Sequence, residues 1–430
     1  MRRCRTDRRQ DGFTLVELMV TLLVFMIVIV AATNIFSGLL TQFKQQSRIA
    51  ETNIEGIIGL ELLRYDLEQA GNGIPWQLDG VNYSEVPSGD GALYDDAPTN
   101  PPKAMIIADG GAPETGWRSP GQAVGSSYPG SDVLVIKATN VATSDAAQKW
   151  THIIKMVPAQ HNILREWGTM QTENPLSSDY AIVINPGTST SQRVLMNNGG
   201  VFSVQLNDNH FSFVPPGSNS TTFPFEPFRD TDNDFIVYGI KPDDGSAPRM
   251  PFNRADYYIS ASNVPSVCAA SELPKTQRTT GVLYKSVIIN STSGTNAGKR
   301  GAPMPILNCV ADMQAVAMLD TDNDGVIDAT TGDLTLMDAN TIRTQLKEIK
   351  VYVLAQEGQK DPTFTFNNFT GASPGNTCLG NCATCIAVGE NCAGSIFDLS
   401  KISANSADTN DYLHYRWKVY TIAVTPYNLR

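Results

Sequence analysis

Read from the N-terminus, the chain opens on an unbroken apolar run, Phe13 to Ala32, with one charge, Glu17, inside it. About 20 apolar residues is the length one helix needs to cross the hydrocarbon core of a bilayer. From Ile35 the pattern turns amphipathic. Ile54, Ile57, Ile58, Leu60 and Leu67 recur at spacings of three, four and seven, which predicts one helix face packed on a head. No proline precedes Pro75, and Gly71, Gly73 and Pro75 supply the stop. The pattern predicts a helix from Phe13 to about Ala70, roughly 87 Å long at 1.5 Å per residue. Sustained heptads are missing, which disfavours a coiled coil.

Residues 76–130 are rich in Gly, Pro, Ser and Asp and read mainly as loops. From Ser131 onward short β-branched and aromatic segments follow one another: SDVLVIKA, THIIKMV, YAIVIN, VFSVQL, DFIVYGI, ADYYIS, GVLYKSVIIN, MQAVAML, LKEIKVYVLAQ and YRWKVYTIAV. Gly, Pro, Asn or Asp bounds most of them, as expected of strands. Regular βα alternation is absent, so a parallel doubly wound sheet is disfavoured. The expected fold is α+β: a long N-terminal helix, membrane-spanning in its first half (13–33), packed on a large, mainly antiparallel β-rich head. The expected divisions are 1–12, 13–70 and 71–430.

Charge sharpens the picture at the N-terminus. Residues 1–12 hold five Arg and two Asp, so this segment is +3, and the rest carries −14 against −11 for the whole chain. A basic head before an apolar span and an acidic remainder after it fit the positive-inside rule, with the remainder exported. An acidic exported part argues against nucleic acid as a partner, because binding phosphates draws on Lys and Arg. An ordinary secretory signal is cut after its apolar region. Here the small residue, Gly12, stands before it. A carboxylate within the apolar run is costly alone and tolerable beside a positive amine.

Gly12-Phe13-Thr14-Leu15-Val16-Glu17 resembles the type IV prepilin leader. The resemblance implies that a prepilin peptidase cuts between Gly12 and Phe13 and that Phe13 is N-methylated. It also implies that Glu17 meets the N-terminal amine of a neighbouring subunit during assembly. The order of segments further on resembles the PilW-type minor pilins, and more loosely the large minor pseudopilins of type II secretion. LRYDLEQAGNGIPW is similar to that family's helix exit. SDVLVIKA, GVLYKSV, PILNCVADMQAVAMLDTDNDGVID, IRTQLKEIKVYVLAQ and the terminal YRWKVYTIAVTPYNLR follow in its order. Residues 76–130 and 361–405 lie outside the resemblance.

The sharpest local motif in the head is Asp320-Thr-Asp322-Asn-Asp324-Gly325-Val326-Ile327-Asp328. Carboxylates at offsets 0, 2 and 4 before a glycine match the first half of an EF-hand-type calcium loop. Val326 offers its carbonyl, Asp328 a further oxygen. Thr331 occupies the place of the bidentate Glu, so Asp333 becomes the substitute. An all-oxygen set suits calcium and not thiolate-loving metals; a solvated acidic turn is the plainer reading of the same residues. The near-copy Asp230-Thr-Asp232-Asn-Asp234 has Phe235 where the glycine belongs and reads as an acidic turn.

Six cysteines follow the first twelve residues, an even number downstream of an export signal, which reads as up to three disulfides. Cys378, Cys382, Cys385 and Cys392 form C-x3-C-x2-C-x6-C in a Gly/Asn-rich loop, 376–393. Two disulfides are the reading that export favours, and zinc is the other chemistry open to four close thiols. Cys268 and Cys309 are then left to pair. No catalytic constellation is present: the four histidines sit outside H-E-x-x-H, and G-x-S-x-G and the P-loop are missing.

Family resemblance therefore implies a non-catalytic minor pilin near the filament tip that helps to prime pilus assembly. Its partners would be other minor pilins and the major pilin. The inner membrane would hold it, N-terminus cytoplasmic, before it enters the extracellular pilus. The alternatives are a type II secretion pseudopilin and a tip adhesin.

Overall fold

The computed structural model describes residues 14–88, 90–108, 131–154, 163–164, 179–187, 192–197, 199–205, 235–241, 245–269, 280–369, 385–387, 396–399 and 411–429. The chain divides into two compact units, one ending at Glu51 and one running from Thr52 to Arg430. Helix α1 (Leu15–Glu68) supplies residues to both. The strands of the first half are β1 (Met105–Ala108), β2 (Val133–Ala138), β3 (Trp150–Ile154), β4 (Ile163–Leu164), β5 (Tyr180–Gly187), β6 (Gln192–Leu195), β7 (Ser203–Gln205) and β8 (Phe235–Lys241). Then come β9 (Asn253–Ser260), β10 (Gly281–Val287), β11 (Met304–Leu319), β12 (Ala329–Thr331), helix α2 (Ala339–Gln345), β13 (Leu346–Glu357), β14 (Cys385–Ala387), β15 (Ile396–Asp398) and β16 (Arg416–Val424). An eight-stranded sheet runs β1-β2-β9-β10-β11-β13-β16 with β12 beside β11, and a six-stranded one runs β4-β3-β8-β5-β6 with β7 beside β5. Every pairing of named strands is antiparallel, as the lack of βα alternation implies.

The last turns of α1 pack on the larger sheet through only part of the expected stripe, Leu60 and Leu67. Ile54, Ile57 and Ile58 are exposed, whereas Gly56, Leu60, Leu63, Leu67 and Ala70 are buried. The reason is backbone proximity. A Cβ on Gly59 would lie 1.9 Å from the Ile306 carbonyl oxygen at the start of β11, and one on Gly56 would lie 3.1 Å from Leu307 Cδ1. Two glycines three apart let the helix approach the strand more closely than any side chain allows, and this chooses the buried face. Full burial of Leu60, Leu63 and Leu67 stabilises by about 1.5–3 kcal/mol each.

A buried polar contact fixes the same helix. Asp66 accepts a hydrogen bond from Tyr257 Oη of β9 at 2.6 Å and pairs with Lys285 Nζ of β10 at 2.5 Å. Burial pushes the Asp66 carboxyl above its ordinary pKa, against the pull of Lys285 and Tyr257. The helix then ends where Gly71 and Gly73 adopt φ of 80° and 65°, a region open to glycine at little cost. The exit docks on β2: Gly71 N–H donates to Lys137 O at 3.0 Å, and Thr139 N–H donates to Asn72 O at 2.8 Å.

Strands β11 and β13 are buried on both faces, split by the period of two. Met313, Ala315, Ala317, Val351 and Val353 join the core under α1. Val316, Met318, Tyr352 and Leu354 face a second core with Phe366, Phe397, Tyr412, Tyr415 and Trp417. Strand β11 begins nine residues before the expected MQAVAML, because Pro305 to Val310 pair with β10 across a register shift. Residues 76–130 are not all loop either: Met105–Ala108 form β1, an edge strand with every residue buried.

Candidate functional site

The first candidate site is the start of α1. Gly12 and Phe13 lie outside the described residues. Thr14 and Glu17 form a reciprocal cap: Glu17 N–H donates to Thr14 Oγ1 at 3.2 Å, while Thr14 N–H and Oγ1 donate to Glu17 Oε2 at 3.4 and 3.3 Å. This is the capping-box arrangement of a Thr and a Glu three residues apart. It was legible as T-x-x-E, yet the sequence reading gave Glu17 only an intermolecular role. Beyond it, α1 contains an 18-residue window with a mean hydropathy of 2.8, none of it buried within the chain. By length and composition this helix can cross a membrane.

The second candidate is the turn after β11. Asp320, Asp322 and Asp324 offer carboxylate oxygens that all lie within 4.8 Å of one another. Asn323 and Gly325 take positive φ, 59° and 94°, which closes the turn and explains the glycine. Asp320 is fully buried and accepts from Asp324 N–H at 3.1 Å and Gly325 N–H at 3.0 Å; Lys347 Nζ stands 3.4 Å away. Burial pushes its carboxyl up, but the donors from Gly325, Lys347 and Asp324 outweigh that and hold its pKa below the ordinary value.

Two of the other carboxylates expected of this loop have partners of their own. Asp328 accepts from Thr321 N–H at 3.0 Å and from Thr321 Oγ1 at 2.8 Å. Asp333 caps its own turn, accepting from Thr335 N–H at 2.7 Å and Oγ1 at 2.6 Å. Val326 is exposed, and its N–H donates to Asp324 Oδ1 at 2.8 Å. Of the five expected carboxylates, three converge. They make a partial oxygen shell suited to a hard cation. The Asp230 to Asp234 copy lies outside the described residues.

Cys268 and Cys309 form a disulfide, with Cα atoms 5.0 Å apart and a sequence separation of 41. By loop-closure entropy such a bridge stabilises by about 4 kcal/mol. Of the other four, Cys385 is placed in β14, and Cys378, Cys382 and Cys392 lie outside the described residues.

Sequence reasoning missed a cluster of buried charges beside β2 and β9. Lys137 Nζ pairs with Glu85 Oε1 at 2.8 Å and Asp96 Oδ2 at 2.7 Å. Arg254 pairs with Glu85 at 2.9 Å, Asp95 at 2.7 Å and Asp256 at 2.8 Å, and Arg300 reaches Asp256 at 2.8 Å. These bonds hold residues 85–96 against the sheet. Composition gives no local signal for this, because the partners stand up to 169 residues apart.

The prokaryotic N-terminal methylation motif matches residues 7–33, so the chain carries a type IV pilin-like prepilin leader. Neither the curated proteins nor the solved structures contain a match to the chain. The motif and the apolar helix that follows it support a pilin or pseudopilin class.

Proposed function

We propose that this chain is a minor pilin of the PilW type, non-catalytic, that helps to prime type IV pilus assembly and sits at or near the pilus tip. Cleavage falls between Gly12 and Phe13, and Phe13 is N-methylated. The apolar helix waits in the inner membrane and then moves into the filament among other minor pilins and the major pilin. The observation that carries this reading is the methylation motif over 7–33 running into an apolar helix with no cover of its own. The helix must find lipid or neighbouring helices. Glu17 pairs with the Phe13 amine of an adjacent subunit, which offsets the cost of burying a carboxylate.

The capping box dictates the variant that tests this. A Gln at the third helical position keeps the reciprocal hydrogen bonds and removes only the charge. Glu17→Gln is expected to leave membrane insertion and leader cleavage intact and to lower recovery in sheared pili at least tenfold. Mass spectrometry of the mature N-terminus, expected to show methylated Phe13, is run on the same material. Wild-type incorporation of Glu17→Gln would end the pairing role, and an uncut N-terminus would end the processing role.

In the same reading the Asp320 loop binds calcium, which orders the turn between β11 and β12. The support is the convergence of three carboxylates. At calcium 100-fold above its Kd, linkage adds about 2.7 kcal/mol to stability. The melting temperature of the full chain in detergent is expected to rise with calcium. Asp322→Ala combined with Asp324→Ala is expected to abolish that rise. A flat calcium titration of the unsubstituted chain would remove the site.

A further inference from the structure

A cleft of about 360 Å³ opens beside the helix exit, lined in part by Trp76, Gln77, Gln192, Asn340 and Arg343. Trp76 is held by its N–H donating to Arg193 O at 2.9 Å, and Gln77 bridges to Val194 of β6. Two guanidinium groups converge on this one indole: Arg343 lies 4.0 Å and Arg193 5.4 Å from the ring centroid. Among the described residues neither forms a salt bridge, although Asp338 lies near enough to act on the charge of Arg343. Arg343 donates only to its neighbour Asn340 on α2. The nearby Asp338 is occupied in capping α2 through Asn340 N–H and Thr341 N–H, both at 2.9 Å.

Arg249 also lacks a carboxylate but spends its guanidinium on Ser84 O and Oγ, at 3.1 and 3.3 Å. Arg254, Arg300 and Arg416 each have a carboxylate, in a chain whose net charge is −11. Burial lowers the pKa of both Arg193 and Arg343; at Arg343 the charge of Arg193 adds to the shift and that of Asp338 opposes it. Arg193 also has φ of 49°, a conformation that a residue other than glycine adopts at a cost and that clusters at functional positions. Two like charges assembled on one ring, one of them on a strained backbone, describe a place prepared for an anion.

We propose that this cleft binds a carboxylated sugar, with Arg343 taking the carboxylate, Arg193 adding its charge, and the amides of Gln77, Gln192 and Asn340 meeting hydroxyls. A planar guanidinium matches a carboxylate in bidentate fashion. Three carboxamides are suited to a polyhydroxylated ring, and the proline rings of Pro75, Pro101 and Pro102 give it an apolar wall. The volume admits a sugar unit or two rather than a folded partner. The site is independent of the assembly reading: loss of either leaves the other standing.

The test titrates the full chain in detergent with galacturonate, glucuronate and N-acetylneuraminate by calorimetry, beside galactose, acetate and inorganic phosphate. At least one acidic sugar is expected to bind saturably with Kd of about 1 mM or tighter, and galactose at least tenfold more weakly. Arg343→Gln is expected to weaken binding at least tenfold with an unchanged melting temperature. Arg193→Gln, which leaves α2 untouched, is expected to weaken it by a smaller factor. No saturable binding by any of the three acidic sugars overturns the proposal. So does equal binding of acetate or phosphate, which would make this an anion site only. Equal binding of galactose overturns it as well.

Discussion

Replacing Arg254 with methionine is expected to destabilise the head by about 3–5 kcal/mol, the usual cost of removing one partner from a buried ion pair. The guanidinium is fully buried. Its Nη1 serves Glu85 and Asp95, its Nε serves Asp256, and its Nη2 donates to Gly91 O at 2.8 Å. Without it, Glu85 and Asp256 stay buried with too little positive charge left nearby. Lys137 is already shared between Glu85 and Asp96, and Arg300 reaches only Asp256. The measurement is the urea midpoint of the full chain in detergent, followed by tryptophan fluorescence. A midpoint equal to that of the parent would show that the cluster contributes nothing to stability.

The same cluster gives a pH signature. Burial, with help from Glu85 and against Arg254, pushes Asp95 up to about 6. Between its unfolded value near 3.8 and about 6, the folded chain holds a proton that the unfolded chain lacks. Stability from this group therefore increases as pH falls from about 6 towards 4. Asp256 works in the opposite sense. Burial would raise it, but Arg254 and Arg300 outweigh burial and lower it. Its contribution is present above the unfolded value and is lost as pH falls through the lowered folded value. Together the two place the maximum of their joint contribution near their shared unfolded value, at about pH 4, with loss on either side. Asp95→Asn is expected to remove the rise on the alkaline side of that maximum, and an unaltered urea-midpoint profile would contradict the assignment.

Why the sequence showed some of this and not the rest is a matter of distance along the chain. Local periodicity is a property of neighbours, so β2, β9, β13 and β16 could be read from alternation and β-branching. Helix α1 could be read from its apolar run and its glycine stop. The charge cluster could not, because Glu85, Asp95 and Asp96 stand in a loop-like stretch and their cations lie in strands far away. At the calcium-like loop, spacing foretold the convergence of Asp320, Asp322 and Asp324. It did not foretell that Asp328 and Asp333 would be engaged by Thr321 and Thr335, since threonine hydroxyls compete for carboxylates without leaving a motif. Helix α2 escaped notice because seven residues are too few for periodicity, although Asp338 is a good N-cap.

The exposure of Ile54, Ile57 and Ile58 on α1 leads to the second large effect. On an open helix, Gly→Ala stabilises by up to about 1 kcal/mol through propensity alone. At Gly59 the sign is expected to reverse. The new methyl would meet the Ile306 carbonyl oxygen at 1.9 Å and its carbon at 2.8 Å, and both belong to backbone held between Pro305 and Leu307, which β10 pairs. The helix or the strand has to withdraw, loosening the contacts of Leu60 and Leu63. Overpacking of this kind costs typically 1–3 kcal/mol, so Gly59→Ala is expected to lower the urea midpoint of the head. Gly56→Ala meets side-chain ends, Leu307 Cδ1 at 3.1 Å and Tyr420 Oη at 3.3 Å, and is expected to cost less. Gly38→Ala meets nothing within 4 Å, lies in the other compact unit, and is expected to leave the midpoint where it is. The order Gly59, then Gly56, then Gly38 separates backbone proximity from helix propensity, because propensity alone would make all three substitutions favourable. Equal stabilisation at the three positions would mean that hydrophobic periodicity, and not the glycine pair, sets the packing face.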